Sequence, residues 1–162
     1  MADYKLRRSL LDVPGNMPSM LQNIPLFQCD AVQIDLEDAV PYSEKDAARI
    51  LVRRFLENYK ERNKEILVRI NALDTKWALD DLKAVLPALP DGIRLPKADS
   101  PEIVERLDTL LTEYEEELGL EVGHFRILPS IETAQGVINA VQTARASSRL
   151  IGLAFGAAGC VS

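Results

Sequence analysis

The chain has 162 residues, with 19 Lys and Arg against 25 Asp and Glu, a formal charge of −6 and 47% hydrophobic residues. That is a soluble globular composition with enough apolar material for a real core. It argues against a nucleic-acid coat and, since no uncharged apolar run reaches ~18 residues, excludes a membrane-spanning helix. Cys29 and Cys160 fall in no CxxC pattern and His124 is the only histidine, which removes disulfide scaffolds, zinc ribbons and multi-histidine metal sites. His124 reads as a surface turn residue. Neither GxGxxG nor GxxxxGKS/T occurs, so no phosphate loop is expected. The N-terminus lacks the apolar run of a signal peptide, and a cytoplasmic location with no nucleic-acid or membrane partner is expected. The length suits a small doubly wound sheet and falls short of the ~250 residues of a complete (β/α)8 barrel.

Leu10 to Val13 is the first strand, ended by Pro14-Gly15. Asn16 is placed to cap a helix starting at Met17, whose apolar stripe is Met17, Met20, Leu21 and Ile24, and Pro25 breaks it. Ala31 to Leu36 alternates with period 2 and is the second strand. Ser43-Glu44-Lys45-Asp46 reads as a capping box with Asp in place of Glu, opening a helix to about Tyr59 with Ala47, Ile50, Leu51 and Phe55 on one face. Ile66 to Ile70 is the third strand, followed by a helix from Thr75 to Leu86 with Ala78, Leu82, Val85 and Leu86 inward. Trp77 is expected to pack in that helix rather than to act as a stacking platform.

Gly92 to Leu95 is the fourth strand, and Ser100-Pro101-Glu102 opens a helix that runs to Leu118, where Gly119 ends it. The acidic cluster Glu113–Glu117 on that helix is expected to be a solvated face. Phe125 to Leu128 is the fifth strand, Ala134 to Ala146 a helix, and Leu150 to Phe155 the sixth strand. The repeated strand–helix alternation predicts a parallel sheet with right-handed crossovers, in one domain spanning 1–162.

Strand parity locates the polar residues. In the second strand Val32, Ile34 and Leu36 share one face, while Gln33, Asp35 and Glu37 share the other, with Asp38 just beyond. In the third, Leu67, Arg69 and Asn71 oppose Val68 and Ile70; in the fifth, the inner set is Arg126, Leu128, Ser130 and Glu132. A doubly wound sheet is apolar on both faces, so a face bearing carboxylates at its C-terminal end fits a barrel mouth better. Glu37/Asp38, Arg69/Asn71, Lys97 and Glu132 thus gather where α/β active sites lie. Carboxylates with an Arg suit a hard cation and an anionic, oxygen-rich substrate. An ion-pair network closing the sheet top accounts for the same charges.

Six motifs resemble the citrate lyase beta-chain family. Arg7-Arg8-Ser9-Leu10-Leu11-Asp12-Val13-Pro14-Gly15 is similar to its opening strand, and Ile34-Asp35-Leu36-Glu37-Asp38-Ala39-Val40 to its most recognisable segment. Val68 to Trp77, Arg94-Leu95-Pro96-Lys97, Ile131-Glu132-Thr133 and Leu150 to Gly156 follow in family order, so the resemblance covers essentially the whole chain. It implies an α/β fold, a parallel (β/α) barrel of TIM type, in the Mg2+-dependent lyase and aldolase superfamily. It also implies cleavage of a citryl thioester, carried on acyl carrier protein or CoA, into an acetyl thioester and oxaloacetate. Carried over by residue, Arg69 binds a substrate carboxylate, Glu132 is a metal ligand and substrate contact, Glu37 and Asp38 lie near the metal, and Lys97 is an anion contact. A citrate lyase alpha chain, an acyl carrier protein chain and a homo-oligomer are the implied partners.

Two departures qualify the resemblance. Asp12 stands where relatives carry an apolar residue. After the sixth strand the family reads Gly-Ala-Glu-Asp, whereas this chain has Gly156-Ala157-Ala158-Gly159, so the Asp that serves as a second metal ligand is replaced by Gly159. The chain is therefore expected to be an incomplete barrel of about six of eight βα units, with exposed apolar surface at its open edges and weak or no lyase activity alone. The competing expectations are an inactive truncated homologue or assembly module, and a malyl or methylmalyl thioester lyase of the same superfamily.

Overall fold

The computed structural model describes residues 5–59 and 63–156. The strands are β1 (Leu10–Pro14), β2 (Ala31–Asp35), β3 (Glu65–Arg69), β4 (Gly92–Leu95), β5 (Arg126–Ile131) and β6 (Ala154–Phe155). The helices are α1 (Pro18–Asn23), α2 (Lys45–Asn58), α3 (Ala78–Val85), α4 (Pro101–Leu118) and α5 (Ala134–Thr143). All six strands are parallel and hydrogen-bonded in chain order, β1-β2-β3-β4-β5-β6. A doubly wound sheet reverses its order at a switch point. This sheet never does, so it is a partial (β/α) barrel of TIM type, the arrangement that the parity of β2 and β3 favoured. Among the described residues no helix is long and apolar enough to cross a membrane.

Register separates the two faces. Val13, Ile34, Val68, Ile93 and Ile127 align across five strands, fully buried beneath the helices. The adjacent row on the inner face reads Pro14, Asp35, Arg69, Arg94 and Leu128. An all-aliphatic outer row and a charged inner row place the main core between sheet and helices and the polar chemistry inside the curve.

Several local expectations need correction. Asn16 does not cap α1: Met17 occupies the N-cap position, and the Asn16 amide donates to Glu44 instead. The capping box does not form either, because a 3-10 turn over Tyr42–Glu44 precedes α2 and puts Glu44 at its N-cap without a side-chain bond. The buried stripe of α2 is Lys45, Ala48, Arg49, Val52 and Leu56, whereas Ala47 and Ile50 are exposed and Leu51 and Phe55 half-buried. Lys45 and Arg49 carry apolar stems with polar tips, and an apolar pattern reads past them. The sixth strand is shorter than expected, with only a single bridge, Ile127 to Leu150, preceding β6. α5 turns Val137, Ile138 and Val141 to solvent, and Phe155 of β6 is also exposed.

α4 starts at Ser100-Pro101 and ends at Gly119 as expected; Gly119 adopts φ +68°, a conformation glycine reaches without strain. Its acidic cluster is not uniformly solvated. Glu115 is fully buried and clamps Arg149, which donates through Nη1 and Nη2 at 2.7 and 2.8 Å. The same carboxylate accepts from the amides of Gly123 and Phe125 at 2.9 and 2.8 Å. Burial would raise its pKa, but these bonds and the Arg149 charge hold it below the ordinary glutamate value. The pair ties α4 to the segments before β5 and β6. Arg149→Met strands Glu115 as a buried uncompensated charge and should cost about 3–5 kcal/mol. Urea unfolding should show that loss as a lowered midpoint, with a smaller drop for Glu115→Gln.

Candidate functional site

The site is assembled at the C-terminal ends of β2 to β5. Asp35 ends β2, nearly fully buried, and turns its carboxylate along the inner face. Its Oδ1 accepts from the Glu37 amide at 2.7 Å and its Oδ2 from the Ala39 amide at 2.9 Å, which folds the chain sharply after the strand. Register brings Arg69 of β3 alongside, and its guanidinium donates to both oxygens, Nε to Oδ1 at 2.8 Å and Nη2 to Oδ2 at 2.6 Å. Burial would raise the Asp35 pKa and lower that of Arg69. Their mutual bonds reverse both, leaving Asp35 below and Arg69 above its ordinary value.

One edge of the Arg69 fork is thereby occupied. Nη1 faces the mouth, 3.3 Å from Glu37 Oε2 and 4.0 Å from Asp38 Oδ2. Glu37 is nearly buried, yet among the described residues its Oε2 makes no hydrogen bond. Burial pushes its pKa up to about 7; Arg69 opposes that rise, and the charges of Asp38 and Glu132 add to it. Asp38 is exposed. Glu132 follows β5, half-buried and without a hydrogen bond or ion pair among the described residues. Its side chain is confined by Gly156, where a Cβ would stand 2.8 Å from Glu132 Cγ. Lys97 follows β4 with φ +50° and is exposed.

A cleft of about 300 Å³ opens beside this cluster, lined by Glu37, Asp38 and Lys97 together with Lys45, Asn71 and Trp77. Trp77 stacks on Tyr42, with ring centroids 4.8 Å apart and planes 8° from parallel. It is thus a rim aromatic, not the helix-packing residue expected, because α3 begins only at Ala78. Of the predicted site residues, Glu37, Asp38 and Lys97 share the cleft wall and Arg69 contacts Glu37. Glu132 joins them only through its electrostatic coupling to Glu37. Among the described residues no three His, Cys, Asp or Glu side chains converge into a ready metal cage. Ala158 and Gly159 lie outside the described residues.

Sequence reasoning missed four contributors. Asp35 was placed on the correct face but without its role as the Arg69 partner, which the parallel register alone reveals. Lys45, nearly buried at the start of α2, donates to the carbonyls of Leu36 and Glu37 at 2.7 and 2.6 Å. Asp81 of α3, fully buried, accepts from the backbone and side-chain amides of Asn71 at 2.8 and 2.6 Å and from Arg49 Nε at 2.7 Å. Arg94 of β4 donates through Nε to Ser130 Oγ at 2.7 Å.

Between pH 4.5, the ordinary glutamate value, and about 7, the folded protein holds a proton on Glu37 that the unfolded chain releases. Stability therefore falls as pH rises through that window, and ionised Glu37 costs on the order of 2 kcal/mol above it. Glu37→Gln should unfold at a higher urea concentration than the parent at pH 8 and at a similar one at pH 4. Equal midpoints at both pH values would contradict the raised Glu37 pKa.

Comparisons with known proteins identify the family. The model of the HpcH/HpaI aldolase/citrate lyase family matches residues 8–161. The citrate lyase subunit beta of Leuconostoc mesenteroides subsp. cremoris is 43% identical over 157 residues, 97% of this chain and 52% of that protein. A (3S)-malyl-CoA thioesterase of Cereibacter sphaeroides is 34% identical over 149 residues, 92% of this chain and 48% of that protein. The solved structure of a citrate lyase beta subunit from M. tuberculosis, complexed with oxaloacetate and magnesium, superposes with a TM-score of 0.73 at 27% identity, covering 94% of this chain and 59% of that one. The chain spans about half the length of the curated relatives it matches. It belongs to the HpcH/HpaI aldolase/citrate lyase family.

Proposed function

We propose that this chain carries the substrate-binding half of a carbon–carbon lyase that cleaves a citryl thioester, on acyl carrier protein or CoA, into an acetyl thioester and oxaloacetate with Mg2+. The observation that carries the reading is the Arg69 guanidinium, braced on one edge by Asp35 and presenting Nη1 among the carboxylates at the strand ends. Such a group binds and orients a substrate carboxylate. The resemblance to citrate lyase beta subunits supports the citryl substrate.

Glu37, Asp38 and Glu132 offer the oxygen donors a hard dication takes, although among the described residues they do not converge into a three-carboxylate cage. Among the described residues Glu37 Oε2 is buried without a hydrogen bond, and burial, with a smaller contribution from the charges of Asp38 and Glu132, keeps a proton on Glu37 near neutral pH. Glu132 would be the direct ligand, with Glu37 and Asp38 contacting the ion through water. The ion supplies Lewis-acid polarisation of the hydroxy-acid oxygen. Arg69 fixes the carboxylate next to the hydroxyl carbon. Loss of the hydroxyl proton lets the alkoxide become the ketone of oxaloacetate as the C–C bond electrons pass into the thioester enolate, and a proton then completes the acetyl group. Lys97, on the cleft wall, offers a second cation to the anionic substrate.

In the proposed setting the protein works in the cytoplasm with a citrate lyase alpha chain and an acyl carrier protein chain, as a homo-oligomer. The solvent-facing Val137, Ile138 and Val141 support contact with further protein surface. The 34% identity to malyl-CoA thioesterases favours a second reading, a malyl or methylmalyl thioester substrate on the same site.

Oxaloacetate release from a citryl thioester, followed by coupled reduction of the keto acid, tests the assignment. Release should require Mg2+ and be slow in this chain. It should rise by about tenfold or more in Gly159→Asp, which restores the carboxylate expected there, and fall by about 100-fold from that level when Arg69→Ala is added. Cleavage of malyl but not citryl thioester would transfer the assignment to the second reading, and cleavage of neither by Gly159→Asp would overturn both.

A further inference from the structure

The inner row of the sheet sets two guanidinium groups side by side. Arg69 of β3 and Arg94 of β4 are register partners, with Asp35 on the far side of Arg69 and Leu128 on the far side of Arg94. Only Arg69 has a carboxylate partner. Arg94 is half-buried and is held by a single hydrogen bond, from Nε to the hydroxyl of fully buried Ser130. Among the described residues no carboxylate lies within ion-pairing distance of it, and its Nη1 and Nη2 make no hydrogen bond. Neither Nη is a buried orphan, so both reach space open to solvent. Burial, and the like charge of Arg69, lower its pKa below the ordinary guanidinium value, while Asp12 and Glu132 pull the other way without touching it.

An anchored Nε leaves the two-pronged outer edge of a guanidinium fixed in orientation, the edge that takes a carboxylate with two parallel hydrogen bonds. Placing a second positive charge beside Arg69 is unfavourable unless an anion spans the two. Neighbouring strands stand ~4.8 Å apart, comparable to the separation of the carboxylates in a four-carbon diacid. The lyase reading supplies such a group, because the portion of a citryl thioester that becomes oxaloacetate carries two free carboxylates. A malyl thioester offers only one.

We infer that Arg94 binds the second, methylene-linked carboxylate of the substrate and so selects citryl over malyl thioesters. This assignment rests on the lyase reading and adds to it the residue that sets substrate class. Ser130 is the positioning residue that aims the guanidinium, and Arg69 takes the carboxylate next to the hydroxyl carbon.

Two stable hydroxy acids test the inference by binding alone. 2-Methylmalate reproduces the oxaloacetate portion with a methyl group in place of the thioester arm, and 2-hydroxy-2-methylpropanoate lacks only the methylene-linked carboxylate. Calorimetric titration of the chain with Mg2+ present should give 2-methylmalate an affinity about tenfold or more above that of the monoacid. Arg94→Gln should abolish that preference by weakening the diacid and leave monoacid binding within about twofold, which also reports an intact fold. Arg94→Lys, which keeps the charge but not the fork, should retain only part of the preference and supplies the same comparison independently. Ser130→Ala should likewise erode the preference and spare the monoacid. An undiminished preference in both Arg94 variants, or equal losses for both acids, overturns the Arg94 assignment while the lyase reading stands. Failure of the parent chain to bind either acid overturns the lyase site and the assignment with it.

Discussion

At the end of β2, Asp35 accepts four hydrogen bonds at once, two from the Arg69 guanidinium and one each from the amides of Glu37 and Ala39. Bringing a carboxylate out of water costs several kcal/mol before partners are counted. Here every partner is a feature of the mouth. The amides shape the turn that carries Glu37 and Asp38, and the guanidinium fixes how β3 presents Arg69. An apolar residue at position 35 would remove the turn's acceptor and leave Arg69 with Glu37 as its nearest carboxylate partner. The geometry of the remaining site thus follows from one buried charge in one register position.

The mouth is also braced from the helical side. Lys45 holds the carbonyls of Leu36 and Glu37 from α2, and Asn71 donates to the Leu36 carbonyl from the strand beside it. Asp81 of α3 in turn holds both amides of Asn71 and pairs with Arg49 of α2. These contacts join two helices to two strand ends through polar groups that are almost fully satisfied within the protein. In the proposed lyase reading the ligand meets the groups the bracing does not use: the Nη1 of Arg69, Oε2 of Glu37, the outer edge of Arg94, Glu132 and Lys97.

Much of the fold was legible along the chain because its signals are local. Ser100-Pro101 and Gly119 bound α4 through backbone conformations those residues favour, and period-2 alternation put Asp35 and Arg69 on one face of the sheet. The errors share a cause. Lys45 and Arg49 on α2, Asp81 on α3 and Glu115 on α4 all occupy positions at helical spacing from buried apolar neighbours. Glu115 lies four residues beyond Leu111, on the same buried stripe. At Glu115 polarity argued for solvent and the spacing from Leu111 for burial, and the residue is buried because it meets Arg149, a partner distant in sequence; on α2 the apolar spacing pointed to the neighbouring stripe instead. Arg149 lies 34 residues from Glu115, and Asp81 lies 32 from Arg49.

The sequence by itself determined the alternation of strands and helices, the polar face of the sheet and the set Glu37, Asp38, Arg69, Lys97 and Glu132 at the strand ends. Those features depend on residue type and spacing, which a linear chain displays. Only the tertiary structure decided that Asp35 occupies one edge of Arg69, that Glu37 is buried beside the other edge with an ion pair but no hydrogen bond at Oε2 among the described residues, and that Arg94 stands beside Arg69 with no ion pair among them. Pairing between parallel strands brings together residues 25 to 34 positions apart, Arg69 with Arg94 and Asp35 with Arg69. Which charges neutralise one another, and which remain for a ligand, is settled by that register and by burial.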